Sequence, residues 1–347
     1  MSQVSDQQLP DRRRDNKRRN VWVIVLAVFL AGLLVSAVFV GNLVHSFDTK
    51  TQKIPQAFPS EQLRPTQSPS SPAPTVSTAM NLLLLGSDSR GDSVDLAESG
   101  IASNQRSDTI MWAHIPADRK NIFLMSIMRD TWVEIPGYGE AKINAAMAFG
   151  GVPLVVQTLE GLFNDRIDHV VIVDFEGFKA MTDALGGVEL DVPLPFTSNH
   201  GNYTFAPGPQ TLNGDQALGF VRERYAFADG DYQRVRDQQI FLKSVLSKVL
   251  DPATLTNPLK VTDLVNDVSP YVSVDSGVNL AMLASLGFSL RSVRNSDVIS
   301  FTLPTLGTGT SDDGQSIVIR DDAAIKAIGR ALTGDSMGQY LRTTGLG

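Results

Sequence analysis

Hydrophobic and polar positions divide the chain into three regimes. From Val21 to Val44 the sequence VWVIVLAVFLAGLLVSAVFVGNLV holds no charged residue. Coiled as a helix at ~1.5 Å per residue it would span roughly 36 Å, enough to cross a hydrocarbon core of about 30 Å. Signal peptides carry shorter apolar stretches, about 7–15 residues, so the pattern predicts a retained transmembrane helix. Residues 45–80 then bring Pro55, Pro59, Pro65, Pro69, Pro72 and Pro74 among Ser, Thr and Gln. Such a segment predicts a semi-extended spacer with no core of its own.

The third regime alternates strand-like and helix-like patterns. Short apolar runs predict strands at Leu82–Gly86, Thr109–Ile115 and Asn121–Ile127, the last two joined by a turn at Pro116–Lys120. Helical spacing follows at Lys142–Phe149 and Val152–Leu162, then a strand at His169–Val173 and a helix at Phe175–Leu185 that Gly186 and Gly187 end. Val188–Val192 predicts another strand, and Asn213 caps a short helix to Leu218. Asp231–Leu250 is the longest amphipathic helix. A helix at Val278–Val293, a strand at Val298–Leu303 and a helix at Asp321–Leu332 complete the pattern. Alternation of this kind predicts a mixed α/β (α+β) fold, a central mixed β-sheet flanked by helices and preceded by one transmembrane helix.

Charge orients this arrangement. Residues 1–20 hold six basic groups against three acidic ones, while the whole chain of 347 residues carries −7. By the positive-inside tendency the basic tail stays in the cytoplasm and everything after residue 44 lies outside. The expected organisation is a cytoplasmic tail at 1–20, the membrane helix at 21–44, a linker at 45–80, an extracellular domain at 81–335 and a tail at 336–347. An acidic body excludes a general nucleic-acid binder, which needs a broad basic surface. With no cysteine, neither disulfides nor cysteine-ligated zinc can contribute.

Within this acidic body the stretch Gly219–Phe241, GFVRERYAFADGDYQRVRDQQIF, concentrates Arg222, Arg224, Arg234 and Arg236. On an extended chain Arg222 and Arg224 would share one strand face, and on the following helix Arg234 and Gln238 would share a face. Guanidinium groups gathered together call for an anion of phosphate type. Surface ion pairs with Glu223, Asp229, Asp231 and Asp237 are the equal alternative from this stretch alone. A second constellation comes from topology. If the first predicted strand pairs antiparallel with the second, and the second forms a hairpin with the third, then Asp88, Arg106, Asp108, Arg129 and Asp130 gather at one sheet edge. Two carboxylates there suit Mg²⁺, which takes one or two carboxylates and fills its other positions with water and phosphate oxygens. Taken singly, the same residues read as loop caps and turn charges.

The four histidines are scattered, and neither a G-x-S-x-G elbow nor a Walker loop is present. The motifs LLLLGSDSR, RSDTIMWAHIP, SIMRDTWVEIPG, KINAAMAFGG, DFEGFKAMTDALGGVEL, LNGDQALGFVRERY and DYQRVRDQQIFLKSVL occur in this order. In that order they make the chain resemble the LytR-CpsA-Psr family of membrane-anchored bacterial envelope enzymes, over most of residues 81–250.

The resemblance implies a transferase of the cell membrane that moves a glycan phosphate from a polyprenyl-pyrophosphate-linked precursor onto a cell-wall acceptor such as peptidoglycan. Teichoic acid, capsule and arabinogalactan precursors would all present the same pyrophosphate. It further implies Asp88 and Asp108 as Mg²⁺ ligands and catalytic groups, and Arg106 as a catalytic arginine near the reacting phosphate. Arg129, Arg222, Arg224, Arg234 and Gln238 would bind the pyrophosphate. Arg90 belongs to the same opening motif, and Lys142 and Asn144 to the KIN motif. Two features depart from the family pattern: a long segment between Asp88 and Arg106, and Asp237 where a basic residue often precedes the glutamine pair. A non-catalytic polyprenyl-pyrophosphate-binding regulator and a lipid pyrophosphatase remain alternative functions for the same residues.

Overall fold

The computed structural model describes residues 38–66, 78–87 and 107–346, with the backbone alone at Ser87, Ser107 and Asp108. Most of the expected membrane helix, together with Asp88, Arg90 and Arg106, lies outside the described residues. The chain divides into two units, residues 1–46 and 47–347, and within the first, residues 38–46 are helical.

The second unit is built on seven strands: β1 (Gln52–Ile54), β2 (Met80–Ser87), β3 (Ser107–Ile115), β4 (Ile122–Ile127), β5 (His169–Asp174), β6 (Val272–Asp275) and β7 (Val298–Thr302). Their spatial order is β1-β6-β5-β2-β3-β4-β7. Strand β3 runs antiparallel to both β2 and β4, as the apolar runs predict, and β6 runs antiparallel to β5. The β2–β5, β4–β7 and β1–β6 pairs are parallel, so the sheet is mixed.

Period-two alternation divides the strand residues between two cores. Leu83, Leu85, Ile110, Trp112, Phe123 and Met125 face one side. There they meet α1 (Ala145–Phe163) and two C-terminal helices, α7 (Asp322–Thr333) and α8 (Met337–Thr344). Leu82, Leu84, Ala113, Ile122 and Leu124 face the other side, toward Leu246 and Leu286. Those belong to α4 (Asp231–Val249) and α6 (Leu280–Ser289), between which lies α5 (Pro258–Val268). Helices α2 (Phe175–Ala184) and α3 (Gly214–Arg222) pack with α4 in a satellite core around Phe196, Phe205, Phe220 and Phe241. Helix α1 is long and apolar enough to cross a membrane, yet most of it is buried in this body.

Three segments differ from expectation. The proline-bearing stretch after residue 45 is not a free spacer through its first half: Phe47, Ile54 and Ala57 are buried, and β1 extends the sheet. Prolines at 55, 59 and 65 interrupt regular structure but leave the apolar side chains between them free to pack. Arg64 seals this strap by contacting the fully buried Glu160 of α1, Nη2 to Oε1 at 2.5 Å. The expected tail at 336–347 is instead largely α8, which buries Met337 and Leu341. The two helices expected over residues 142–162 are one helical run broken at Gly150 and Gly151, while Lys142 ends a short strand, Gly139–Lys142, paired with Trp132–Ile135.

Candidate anion-binding site

Strand register brings the chemistry to one rim of the sheet. Ser87 at the end of β2 pairs with Ser107 at the start of β3 and, on its other side, with Asp174 at the end of β5. Strands β4 and β7 end at the same rim, just before Arg129 and at Thr302. A Cβ on Gly86 would stand 2.9 Å from the Thr109 Cβ, so β2 and β3 approach this closely only because that residue is glycine. Asp108 lies beside Thr109 as the second residue of β3, its backbone on this rim. Asp88 follows Ser87 directly.

Helix α4 begins at the rim. Gly230, with φ of +50°, turns the chain into it, a left-handed conformation suited to glycine. Gln239 fastens the helix to the sheet, its Nε2 donating to Ser126 Oγ at 2.9 Å and to Thr302 Oγ1 at 3.2 Å. Tyr232 Oη, at the first turn, lies 3.1 Å from Thr305 Oγ1. The N-terminal turn of α4 is thereby fixed beside the ends of β4 and β7.

Asp231, the first residue of α4, is the hub. Its Oδ2 lies 3.1 Å from Arg234 Nη2 and 3.5 Å from Arg129 Nε, and its Oδ1 lies 3.5 Å from Arg224 Nη1. Three arginines from three separate elements thus converge on one carboxylate. These contacts are longer than the usual 2.7–2.9 Å of a charge-assisted hydrogen bond. Counted by themselves, these three guanidinium groups outnumber the one carboxylate.

Asp130 is engaged elsewhere. Its Oδ1 lies 3.1 Å from Lys142 Nζ, and its Oδ2 stands 3.7 Å from Arg129 Nε. The backbone N–H of Ile143 donates to Thr131 O and that of Asn144 to Arg129 O, so the Lys142–Asn144 segment braces the turn that carries Arg129.

Arg222 and Arg224 do not share a strand face. Arg222 is the last residue of α3, which runs four residues past its expected end behind a capping box formed by Asn213 and Gln216. Its guanidinium lies 4.2 Å over the Phe175 ring, while Arg224 follows in a loop. Gln238 Nε2 donates to Val221 O at 3.3 Å, which ties α4 to the end of α3 beside Arg222. Arg236 points away from the hub, toward Asp229 and Gln233.

Glu223 holds the arginine loop from beneath. It is buried, and its carboxylate accepts from the backbone N–H groups of Asn199, Arg224, Tyr225 and Ala226. Burial pushes its pKa up, but these four donors outweigh burial and hold it below the ordinary glutamate value. Sequence reasoning offered Glu223 only as a surface ion-pair partner of the arginines, in the equal alternative to an anion site. The only available signal was its position between two arginines, at the start of the loop whose backbone N–H groups it accepts from.

Asp237 is fully buried on α4. Desolvation raises its pKa to about 7, against a hydrogen bond from Gln233 Nε2 at 2.8 Å that lowers it. Its Oδ2 has no hydrogen-bond partner among the described residues.

A mixed sheet with helices on both faces and an arginine cluster at one rim defines an α/β protein. The model of the LytR_cpsA_psr family matches residues 39–333, and the chain belongs to that family. It is 35% identical over 253 residues to the probable cell wall biosynthesis protein LcpB of Corynebacterium glutamicum, covering 72% of this chain and 59% of LcpB. It is 31% identical over 248 residues to the polyisoprenyl-teichoic acid–peptidoglycan teichoic acid transferase TagU of Enterococcus faecalis, covering 71% of this chain and 76% of TagU. The crystal structure of Bacillus subtilis TagV shares the fold with a TM-score of 0.63 at 22% identity, over 75% of this chain and 98% of TagV.

Proposed function

We propose that the chain is a membrane-anchored phosphotransferase that moves a glycan phosphate from a polyprenyl-pyrophosphate-linked precursor onto a cell-wall acceptor such as peptidoglycan. The observation that carries this reading is the convergence of Arg129, Arg224 and Arg234 on Asp231, with Arg222 close by in sequence at the end of α3. Three guanidinium groups around one carboxylate keep an excess of positive charge that a pyrophosphate, and no neutral glycan alone, would neutralise. The transferase name borne by the E. faecalis relative supports the reaction class.

In this reading an acceptor hydroxyl oxygen forms a bond to the glycan-bearing phosphorus, and the bond from that phosphorus to the bridging oxygen breaks. Polyprenyl phosphate leaves. Little covalent work falls to the protein in such a loose transition state, so positioning and charge stabilisation dominate. Arg129, Arg224 and Arg234 turn from Asp231 toward the phosphate oxygens, and Asp231 keeps them gathered between turnovers. Gln238, held at Val221, orients beside Arg222. Arg106 immediately precedes Ser107 in sequence and would act with these groups on the reacting phosphate.

Mg²⁺ is the metal that the two carboxylates beside the Ser87–Ser107 pair in sequence would suit. Asp108 lies one position past Ser107, the partner of Ser87, and Asp88 follows Ser87, so two carboxylates would serve it. When bound it would supply further neutralisation of the phosphate oxygens.

The experiment is transfer from a polyprenyl-pyrophosphate glycan to peptidoglycan by the full chain with Mg²⁺, compared with Arg222→Ala and Arg234→Ala. Loss of a charge-stabilising donor is expected to cost about 10²–10³-fold in rate while the fold remains. Undiminished transfer in both variants would remove the assignment, and glycan phosphate released to water alone would make the protein a pyrophosphatase.

A further inference from the structure

An outward helix face normally carries charge, as α5 does with exposed Lys260, Asp263 and Asp267. Helix α6, LAMLASLGFS, does not. None of its ten residues is buried, and none is charged. Ala281, Ala284, Ser285 and Phe288 are all exposed and recur at spacings of three and four, so they form one outward stripe. Phe288 stands 68% exposed on it. A surface stripe of this kind facing water would be a standing cost, since apolar area gains by leaving water.

Charge appears only where α6 ends. The Arg291 guanidinium lies 4.1 Å over the Phe288 ring, and its Nη1 donates to Phe288 O at 2.8 Å. Arg294, also exposed, donates to Arg291 O at 2.9 Å. An uncharged stripe with arginines at its border is the arrangement of a helix lying in a membrane interface, the rings and methyls below the headgroups and the guanidinium groups at the phosphates.

Chain length supplies the location. Phe47 packs in one small core with Val274, Val278, Leu280 and Leu283, the last two on α6. The uncharged segment Val21–Val44 ends three residues before Phe47. Three residues reach at most about 11 Å, so α6 is held near the point where that segment would leave the bilayer.

We propose that α6 rests on the outer surface of the membrane, with Ala281, Ala284, Ser285 and Phe288 at the headgroup–acyl boundary and Arg291 and Arg294 on anionic lipid phosphates. This inference rests on the reading of Val21–Val44 as a membrane anchor. It adds a second contact, which sets how the folded body is turned relative to the bilayer.

The chain has no cysteine, so a single introduced thiol can be labelled without background. The full-length protein is placed in vesicles of phosphatidylglycerol and phosphatidylcholine, with an environment-sensitive fluorophore on Ser285→Cys or on Ala323→Cys. Ala323 is exposed on α7, which covers the opposite face of the sheet. Lipid-borne nitroxides are expected to quench the Ser285→Cys probe roughly twofold or more, to leave the Ala323→Cys probe unchanged, and to lose their effect when Phe288→Glu is added. The anchor is read separately, by flotation of the chain with the vesicles. Flotation without quenching at Ser285→Cys overturns the docking of α6 and leaves the anchor standing. A blue shift there that grows with protein density, without nitroxide quenching, overturns it in favour of a contact between two copies. Failure to float removes the anchor and this inference with it.

Discussion

Arg234 Nη2 lies 3.1 Å from Asp231 Oδ2, one helical turn earlier on α4, and this pair sets the geometry of the whole arginine cluster. Asp231 also serves the N-terminus of its own helix, where a negative charge is favoured by the aligned peptide dipoles. The carboxylate is therefore fixed by its helix and in turn fixes Arg129, Arg224 and Arg234.

Replacing it isolates that role. Asp231→Asn keeps the shape but removes the charge, so the three guanidinium groups repel and spread. The expected result is a fall of about tenfold or more in the maximal transfer rate, by analogy with other losses of preorganised charge. The apparent substrate affinity should change less, because an added anion meets more uncompensated charge. Steady-state kinetics separates the two, and a purely structural role would lower neither without lowering the melting temperature.

Glu223 gives a prediction in acid. Burial opposes its ionisation, but four backbone N–H donors prevail and lower its pKa in the folded state. A depressed carboxylate contributes stability that is present above its unfolded value and is lost as pH falls through the folded one. Glu223→Gln places an amide N–H₂ among N–H donors and is expected to cost about 1–3 kcal/mol near neutrality. Urea unfolding at a series of pH values should show part of the acid-side loss of stability disappear with the substitution.

Asp237 gives the opposite sign. Its folded pKa of about 7, set first by burial, lies above the unfolded value of 3.8, so the folded chain retains a proton that the unfolded chain has released. Stability therefore falls as pH rises from about 4 to about 7 and is level above that. Asp237→Asn keeps an acceptor for Gln233 and carries no charge to bury. Its melting temperature is expected to exceed that of the parent above pH 7 and to lose the parent's slope below it.

The strap across α1 is sealed by the Arg64–Glu160 ion pair, beside a second pair between Arg166 and Glu61. Glu160 is fully buried, Arg64 nearly so, and Arg64 also donates to Ile167 O at 2.7 Å. Arg64→Ala leaves a buried carboxylate with a single remaining donor, Ile167 N–H, at a cost of about 3–5 kcal/mol. Denaturant midpoints would reveal it, and protease cleavage within residues 52–64 should rise in step. An unchanged midpoint would mean that the strap is held without this pair, by its buried apolar side chains and the Arg166 contacts to Glu61 and Pro65.

Local pattern made much of this legible. Short apolar runs marked β2, β3 and β4, and the antiparallel pairing assumed for them, which the register bears out, placed Arg129 at the rim. Spacing of four placed Arg234 and Gln238 on one helix. What pattern could not show is where a helix yields to a loop. Arg222 and Arg224 look like an extended pair in isolation, but the capping box at Asn213 and the satellite core carry α3 through Arg222. The convergence on Asp231 joins residues more than a hundred positions apart and follows from tertiary packing of α4 alone. The strap and α8 were hidden for a different reason. Each offers only a few apolar side chains among polar ones, and their burial depends on a surface that the rest of the chain must first build.

The burial of Phe47 and Ile54 also changes the reach of the protein. A free spacer over residues 45–80 would let the body wander by roughly 33 Å. With β1 stitched into the sheet edge beside β6, that slack is withdrawn, and two residues of sequence separate Val44 from the buried Phe47. In the proposed reading, an anchor over Val21–Val44 would leave the body too little slack to search the wall, so the acceptor strand would have to come down to the membrane.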